Sequence, residues 1–194
     1  EAIKEMEEST PKQQLFSKED LKKLIVPLLF EQALAITVGM ADTVMISSAG
    51  EAAVSGVSLI DMFNNLIISV LAALATGGAV VTSQFLGAGK KEDACKSAKQ
   101  LIVSSVCITI GISILVMVFC NGIISLFFGK IEADVFHNAV IYMMISALSF
   151  PFLALYNSCA ALFRSMGNSK ITLKVSVVEN IINIGSNALG VYVL

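Results

Sequence analysis

Five long apolar stretches dominate the pattern of hydrophobic and polar positions along the chain. They lie at about 21–48, 53–86, 100–128, 135–163 and 171–194. Roughly 20 residues of α-helix cross a hydrocarbon core of about 30 Å, so each stretch is long enough to span a membrane. The apolarity is continuous rather than alternating, which favours helices over the strands of a membrane barrel. The sequence therefore predicts an all-α, polytopic membrane helix bundle that follows a polar tail at 1–20.

Short polar segments that contain glycine separate some of these stretches. Segments 87–90 and 166–169 each combine a glycine suited to end a helix with polar residues suited to begin the next one. Segment 17–20 resembles a capping box in which Asp replaces the usual Glu or Gln. These signals predict tight turns after the second and fourth helices and a helix start near residue 18. The acidic residues of segment 91–93 are expected at the start of the third helix.

The composition excludes several classes of protein. Of the 194 residues, 56% are hydrophobic and 14% charged, and the mean hydropathy is +0.81, whereas a soluble domain is roughly half apolar and a quarter charged. The net charge of −2 and the lack of a basic stripe argue against a nucleic-acid partner. The four cysteines form no C-x-x-C pair, and one histidine cannot supply a metal cluster. The sequence contains no nucleophile–base pair that would indicate an enzyme.

The basic residues are distributed unevenly between the two predicted membrane faces. Twelve of the 13 lie before or at the start of the first helix, or in the second and fourth connections, and Lys130 alone lies in the first or third. Because cytoplasmic segments accumulate Lys and Arg, the N-terminus is predicted to be cytoplasmic. The first stretch lacks a cleavable signal pattern and is expected to remain as an anchor. We therefore expect a multi-pass protein of the plasma (inner) membrane, in contact with lipid.

Two carboxylates interrupt the first apolar stretch. Glu31 and Asp42 are 11 residues apart, which places them on one face of a helix. An ionisable residue at the centre of a membrane helix costs about 2.5–3.5 kcal/mol on insertion scales, so such residues usually mark an ion or substrate pathway. For Asp42 we favour a functional interpretation, since a carboxylate can carry a proton or a cation.

The fifth stretch carries a polar stripe. Asn183 lies one helical turn after Glu179 and one turn before Asn187, and Asn180 is adjacent to the stripe. Asn187 and Asp42 lie at similar distances from the predicted outer face, which allows contact between them. The Asp42 carboxylate would then bind a proton, or it would bind a hard cation such as Na⁺ together with the amide oxygens of Asn183 and Asn187, and the residues alone do not choose between the two.

Other polar positions allow two interpretations. Asn64, Asn65 and Asn180 are expected to hold helices together by hydrogen bonds that contribute about 0.6 kcal/mol each. Glu31 and Asp61 are balanced between a structural and a functional role. Beyond Asp42, Asn183 and Asn187, the candidates for a cavity or for ion coupling are Glu31, Asp61, Glu179 and Asn180.

Several short motifs together resemble the multidrug and toxic compound extrusion (MATE) transporters. The motifs are Pro27, Glu31-Gln32 and Ala41-Asp42-Thr43-Val44-Met45; Gly77-Gly78-Ala79 followed by Ser83-Gln84-Phe85-Leu86-Gly87-Ala88-Gly89; Phe163-Arg164-Ser165-Met166-Gly167-Asn168; and Asn183-Ile184-Gly185-Ser186-Asn187. Each is short, but their order and spacing are specific, and the resemblance covers about residues 20–194.

The resemblance implies a secondary antiporter that exports amphipathic, often cationic compounds in exchange for protons or sodium, with no other cofactor. Family members have twelve helices in two six-helix lobes, so the chain would supply five helices of the first lobe, without the sixth helix and the C-terminal lobe. Asp42, Asn183 and Asn187 fall at the cation site of that lobe. Many members carry Asp at the position of Asn187, which leaves the coupling ion open.

Two alternatives remain beside export. A lipid-linked precursor flippase of the same superfamily would need cationic residues in the cavity, whereas every Arg and Lys here lies near a predicted membrane edge or outside the membrane. A non-transporting membrane scaffold would make the Asp and Asn stripe a matter of packing alone. Ion-coupled export by rocking of two lobes is the leading hypothesis.

Overall fold

The chain folds into a bundle of long helices. The computed structural model describes residues 18–47 and 50–192, and these form five helices without strands: α1 (Lys18–Ser47), α2 (Glu51–Gly87), α3 (Lys91–Phe128), α4 (Ala133–Ser165) and α5 (Ser169–Tyr192). The all-α prediction is confirmed. The predicted tail as far as residue 17, with the capping residue Ser17, and the end of the fifth predicted span at 193–194 lie outside the described residues.

Most helix boundaries lie within a few residues of the predicted spans, and α3 is the exception. It begins at Lys91 rather than near residue 100, because Glu92 and Asp93 occupy its first turn, where the helix dipole favours acidic groups. Lys96 also pairs with Glu92 one turn away, at 3.1 Å. The helix therefore continues beyond its apolar run. Similarly, α1 begins at Lys18, as the capping pattern at 17–20 predicts, so residues 18–20 belong to the helix and not to the predicted tail.

Four helices are long and apolar enough to cross a membrane. Among the described residues these are α1 from Leu21 onwards, α2, α3 and α4. The described part of α5 carries Glu179 and three asparagines and is not in this group. That α5 also crosses the membrane, as its predicted span requires, stays a prediction.

Two similar turns reverse the chain after α2 and after α4. Gly89 (φ +75°) and Gly167 (φ +80°) adopt the left-handed conformation that glycine tolerates best. In each turn the following N–H donates back across the helix end, Lys90 to the Phe85 carbonyl at 3.0 Å and Asn168 to the Phe163 carbonyl at 2.9 Å. Gly89 thus supplies the left-handed position of the first turn, within the predicted segment 87–90.

Helices α2, α3 and α4 form the well-packed part of the bundle. Their shared core includes Ile60 and Leu71 of α2, Ile124 of α3, and Met143 and Phe150 of α4, all at most 2% exposed. At Gly56 the backbones of α2 and α4 come so close that a Cβ would lie 3.0 Å from the backbone of α4. This approach lets the two helices pack along most of their length.

Helix α1 packs mainly against α5, and these two helices make few contacts with the other three. Contacts between α1 and α2, and between α4 and α5, are sparse compared with those inside each group. A cleft therefore remains between the α1–α5 pair and the α2–α4 face. The polar side chains of all four helices meet in this cleft.

Candidate functional site

The central polar contact joins α1 to α5. The Asn187 side-chain nitrogen Nδ2 donates to Asp42 Oδ1 at 2.8 Å and to Asn183 Oδ1 at 3.2 Å. One amide group thus bridges the carboxylate and the second amide. Asp42 and Asn187 are partly buried, and Asn183 is exposed in the described chain. The contact expected from the similar depths of Asp42 and Asn187 is therefore present.

Local helix geometry explains why these groups meet. Asn183 and Asn187 are one turn apart on α5, so their side chains project from the same face. Asp42 lies in the part of α1 that packs against this face. The three polar side chains therefore lie next to one another along the seam between α1 and α5.

A cavity of about 400 Å³ opens beside this contact. We call it the Asp42 cavity. Helices α1, α2, α4 and α5 all contribute to its wall, with polar side chains from each; these are Asp42, Thr43, Ser58, Asp61, Tyr142, Asn183 and Asn187. The remaining wall is apolar or glycine, including Ile46, Val54 and Val57. A volume of this size is within the range of about 300–1,000 Å³ typical of small-molecule sites.

A second cavity of about 350 Å³ lies between α2 and α4, and we call it the α2–α4 compartment. Asp61 and Tyr142 line both cavities. The Tyr142 hydroxyl donates to Asp61 Oδ1 at 2.8 Å, so this bonded pair lies where the two cavities meet. Asn64 Nδ2 donates to Ser146 Oγ at 3.0 Å, the interhelical bond expected of such an asparagine.

The other candidate residues lie elsewhere. Among the described residues, neither cavity is lined by Glu31, Glu179 or Asn180. Glu31 Oε1 pairs with Arg164 of α4 at 3.3 Å, and the side chains are 16% and 31% exposed. Asn180 donates to Ser176 within α5 at 3.3 Å, so it does not join two helices through this bond. Glu179 is exposed.

Tyr142 and Ser146 are cavity residues that the sequence pattern did not reveal. A signal was present, because Tyr142, Ser146 and Ser149 recur at helical spacing in the apolar α4 and face Asp61 and Asn64 of α2. Hydroxyl groups are common in membrane helices, where they donate hydrogen bonds to carbonyl groups of their own helix. The hydroxyl stripe on α4 is therefore not recognisable as part of a cavity until its partner helix is known.

The donors at the Asp42 contact are one carboxylate and two amides. The described residues contain no group of three or more His, Cys, Asp or Glu side chains that would hold a metal ion. A proton would bind directly to Asp42. A hard cation would use the Asp42 carboxylate together with amide oxygens, which requires the Asn187 amide to turn its oxygen towards the cation.

Long apolar helices around a polar cleft, with a carboxylate on one wall, define a polytopic membrane transport protein. A sequence model of the MatE family matches residues 27–189. The chain belongs to this family, whose members are transporters and not enzymes. Both the predicted family and the prediction that the protein is not an enzyme are confirmed.

Two curated relatives resemble the chain in sequence. The uncharacterized transporter YisQ of Bacillus subtilis is 31% identical over 191 residues, covering 93% of this chain and 42% of YisQ. The probable multidrug resistance protein NorM of Thermotoga maritima is 25% identical over 172 residues, covering 86% of this chain and 36% of NorM. The chain spans about two fifths of the length of these relatives.

Solved structures show the same fold. A MOP superfamily transporter from Pyrococcus furiosus superposes with a TM-score of 0.82 at 19% identity, over 90% of this chain and 38% of the other. An outward-facing multidrug resistance MATE family transporter of the MOP superfamily gives the same TM-score, identity and coverage. At this identity the likeness establishes the fold, namely the helix arrangement of one part of a MATE transporter.

Proposed function

We propose that the chain is part of a secondary antiporter that exports amphipathic, often cationic compounds in exchange for H⁺ or Na⁺. The observation that carries the proposal is the bond from Asn187 to Asp42, a carboxylate–amide contact on the wall of a 400 Å³ cavity between helix groups. Membership of the MatE family and the similarity to NorM, a probable multidrug resistance protein, support export.

Asp42 is the proposed coupling residue. In the described arrangement its Oδ1 accepts a hydrogen bond from the Asn187 amide. A proton that binds the carboxylate, or a sodium ion that binds its oxygens, removes the charge that this N–H group faces. The Asn187 N–H group then donates to another acceptor, or the amide turns its oxygen towards the ion. Ion binding thereby changes the contact that ties α1 to α5.

The position of the contact links ion binding to cavity shape. Because the α1–α5 pair makes few contacts with α2 and α4, a change at Asp42 alters the cleft without disrupting the α2–α3–α4 core. We propose that occupancy of Asp42 biases the rocking motion that exposes the cavity alternately to the two sides of the membrane. The exported compound occupies the cleft when the coupling ion has left.

We further propose that the protein lies in the plasma (inner) membrane with its N-terminus in the cytoplasm. The ends of α2 and α4 and the starts of α1, α3 and α5 carry ten of the 11 Lys and Arg of the described residues. The remaining one, Lys130, lies in the turn between α3 and α4. The positive-inside rule therefore assigns the first group to the cytoplasmic face.

The proposal is tested by transport in proteoliposomes that contain the whole protein. Loaded ethidium should leave the vesicles only when a proton or sodium gradient is imposed, and the gradient that drives it identifies the ion. Asp42→Asn should abolish this gradient-driven efflux. Glu51→Gln, at an exposed carboxylate that begins α2, serves as the matched control and should transport normally.

Two outcomes would contradict the proposal. Normal gradient-driven efflux by Asp42→Asn would exclude Asp42 as the coupling residue. If the wild type shows only leakage that does not depend on a gradient, the scaffold alternative is favoured, since a scaffold does not couple substrate movement to an ion gradient. The flippase alternative has less support, because Arg164 is engaged by Glu31 and lines neither cavity described above.

A further inference from the structure

The α2–α4 compartment is a second polar space that adjoins the Asp42 cavity. Its volume of about 350 Å³ lies in the range of small-molecule sites. The hydrogen-bonded pair of Asp61 and Tyr142 forms part of both walls. A compound in the Asp42 cavity therefore has a polar neighbouring space within reach on the far side of this pair.

Hydrogen-bonding groups from two helices face one another across the compartment. They are Asp61, Asn64 and Asn65 of α2 and Tyr142, Ser146 and Ser149 of α4. Asn64 and Asn65 follow Asp61 by three and four residues, and Ser146 and Ser149 follow Tyr142 by four and seven, so each set lies on one side of its helix. Two packed membrane helices thus present a carboxylate, two amides and three hydroxyls to a single space.

Little aromatic surface is available in the same space. Besides Tyr142, Phe150 is the aromatic residue that lines the compartment, and it is only 1% exposed because its ring belongs to the helix core. A flat aromatic cation would find little ring surface on which to stack. The compartment instead suits a group that donates several hydrogen bonds and carries positive charge opposite Asp61.

The polar wall is held in place and is incompletely satisfied. Asn64 Nδ2 donates to Ser146 Oγ at 3.0 Å, which ties the two faces together. Asn64 Oδ1 is buried, and the described residues offer it no hydrogen-bond partner. Buried unpaired acceptors are rare in folded proteins, because a polar group without a partner costs stability, so this wall keeps its polar residues at a cost.

We propose that the α2–α4 compartment binds the hydrogen-bonding, positively charged end of the exported compound, such as a protonated amine flanked by hydroxyls. The proposal rests on the export function given above and adds a determinant of selectivity to it. Asp61 supplies the opposite charge. The hydroxyls of Tyr142 and Ser149, which donate to Asp61 and to the Ser146 carbonyl, accept hydrogen bonds that orient the bound group. The apolar remainder of the compound lies in the Asp42 cavity against Ile46, Val54 and Val57, the apolar part of its wall.

Binding of two cations to the purified whole protein in detergent, without any ion gradient, tests this proposal. Puromycin carries a protonated amine and hydroxyls, whereas tetraphenylphosphonium has no hydrogen-bond donor. Tyr142→Phe and Ser149→Ala each remove one hydroxyl and should weaken puromycin binding roughly three- to tenfold. Tetraphenylphosphonium binding should change less than about twofold, since it loses no hydrogen bond.

Matched controls are available in the same helices. Tyr156→Phe and Ser69→Ala remove the same groups from residues that line neither cavity, and both should bind the two cations as the wild type does. Should Tyr142→Phe fail to fold, Ser149→Ala decides the matter, because Ser149 is exposed in the described chain and its hydroxyl bonds only within its own helix, to the Ser146 carbonyl. Unchanged puromycin binding in Ser149→Ala, or equal loss of both cations, would overturn the proposal, as would wild-type protein that does not bind puromycin.

The outcome is separable from that of the coupling experiment. Binding without a gradient does not depend on Asp42 acting as the coupling residue. If Asp42→Asn exports normally while Ser149→Ala selectively weakens puromycin binding, the coupling assignment fails and the proposal for the α2–α4 compartment is supported. If Asp42→Asn abolishes coupled efflux while both cations bind every variant as they bind the wild type, the coupling assignment is supported and the proposed role of the α2–α4 compartment is refuted.

Discussion

The ion pair of Glu31 and Arg164 gives the sharpest stability prediction. It joins α1 to α4 across the bundle at 3.3 Å, and Glu31 Oε2 is buried without a hydrogen-bond partner among the described residues. Arg164→Met leaves this carboxylate without its countercharge. Glu31→Gln, by contrast, leaves Arg164, whose side chain is 31% exposed and long enough to turn its guanidinium towards water. The two single variants should therefore differ in stability.

The exposures set the magnitude. Removing one partner of a fully buried pair costs about 3–5 kcal/mol, whereas an exposed pair contributes about 0–1 kcal/mol. Because the Glu31 and Arg164 side chains are 16% and 31% exposed, we expect an intermediate loss of about 1–3 kcal/mol for Arg164→Met. Glu31→Gln should lose less than about 1 kcal/mol. The double variant should be more stable than Arg164→Met alone, since it contains no unpaired buried charge.

Reversible unfolding of the whole protein in mixed detergent and SDS micelles measures these free energies as a double-mutant cycle. The exposed pair of Glu92 and Lys96 is the matched control, with side chains 86% and 66% exposed. Glu92→Gln and Lys96→Met should each change stability by less than about 0.5 kcal/mol. Equal losses for Glu31→Gln and Arg164→Met, or additive losses in the double variant, would refute the reasoning.

Three further predictions concern packing, coupling and orientation. Gly56→Ala places a Cβ 3.0 Å from the Ala139 backbone and should lower stability by about 1–3 kcal/mol in the same unfolding assay, whereas Gly77→Ala, with no atom within 4 Å, should not lower it. Asn187→Leu removes a hydrogen bond to a carboxylate and should reduce gradient-driven ethidium efflux about tenfold or more; wild-type efflux would contradict this. Exposed Cys95, with the other three cysteines of the chain replaced by alanine, should react with a membrane-impermeant maleimide in inside-out vesicles but not in intact cells, and the reverse would overturn the cytoplasmic assignment.

Much of the architecture follows from local features of the sequence. Continuous apolar runs predict the five helices, and glycine followed by polar residues predicts the turns near Gly89 and Gly167. The acidic residues Glu92 and Asp93 indicate the start of α3 at Lys91, whereas the apolar run begins only near residue 100, because hydrophobicity marks the membrane-spanning part of a helix and not its polar extension.

The candidate coupling contact was also accessible from the sequence. Turn-spaced asparagines share a face of α5, and equal depth in the membrane limits which residues of α1 can meet them, so a contact between Asp42 and Asn187 followed from counting residues. Glu31 was different. Its spacing from Asp42 predicts a shared face of α1, but the partner, Arg164, lies 133 residues away on another helix.

What the sequence by itself determined is therefore the set of helices, their turns and the residues that share each helical face, because these depend on spacings of a few residues. The tertiary structure decided which faces meet. The close approach at Gly56 seats α2 against α4, and this pairing opposes Asp61 to Tyr142 and creates the second compartment. The rotation of a helix about its axis and the helix that it packs against depend on side-chain packing over the whole bundle. Local spacing in the sequence therefore does not predict them.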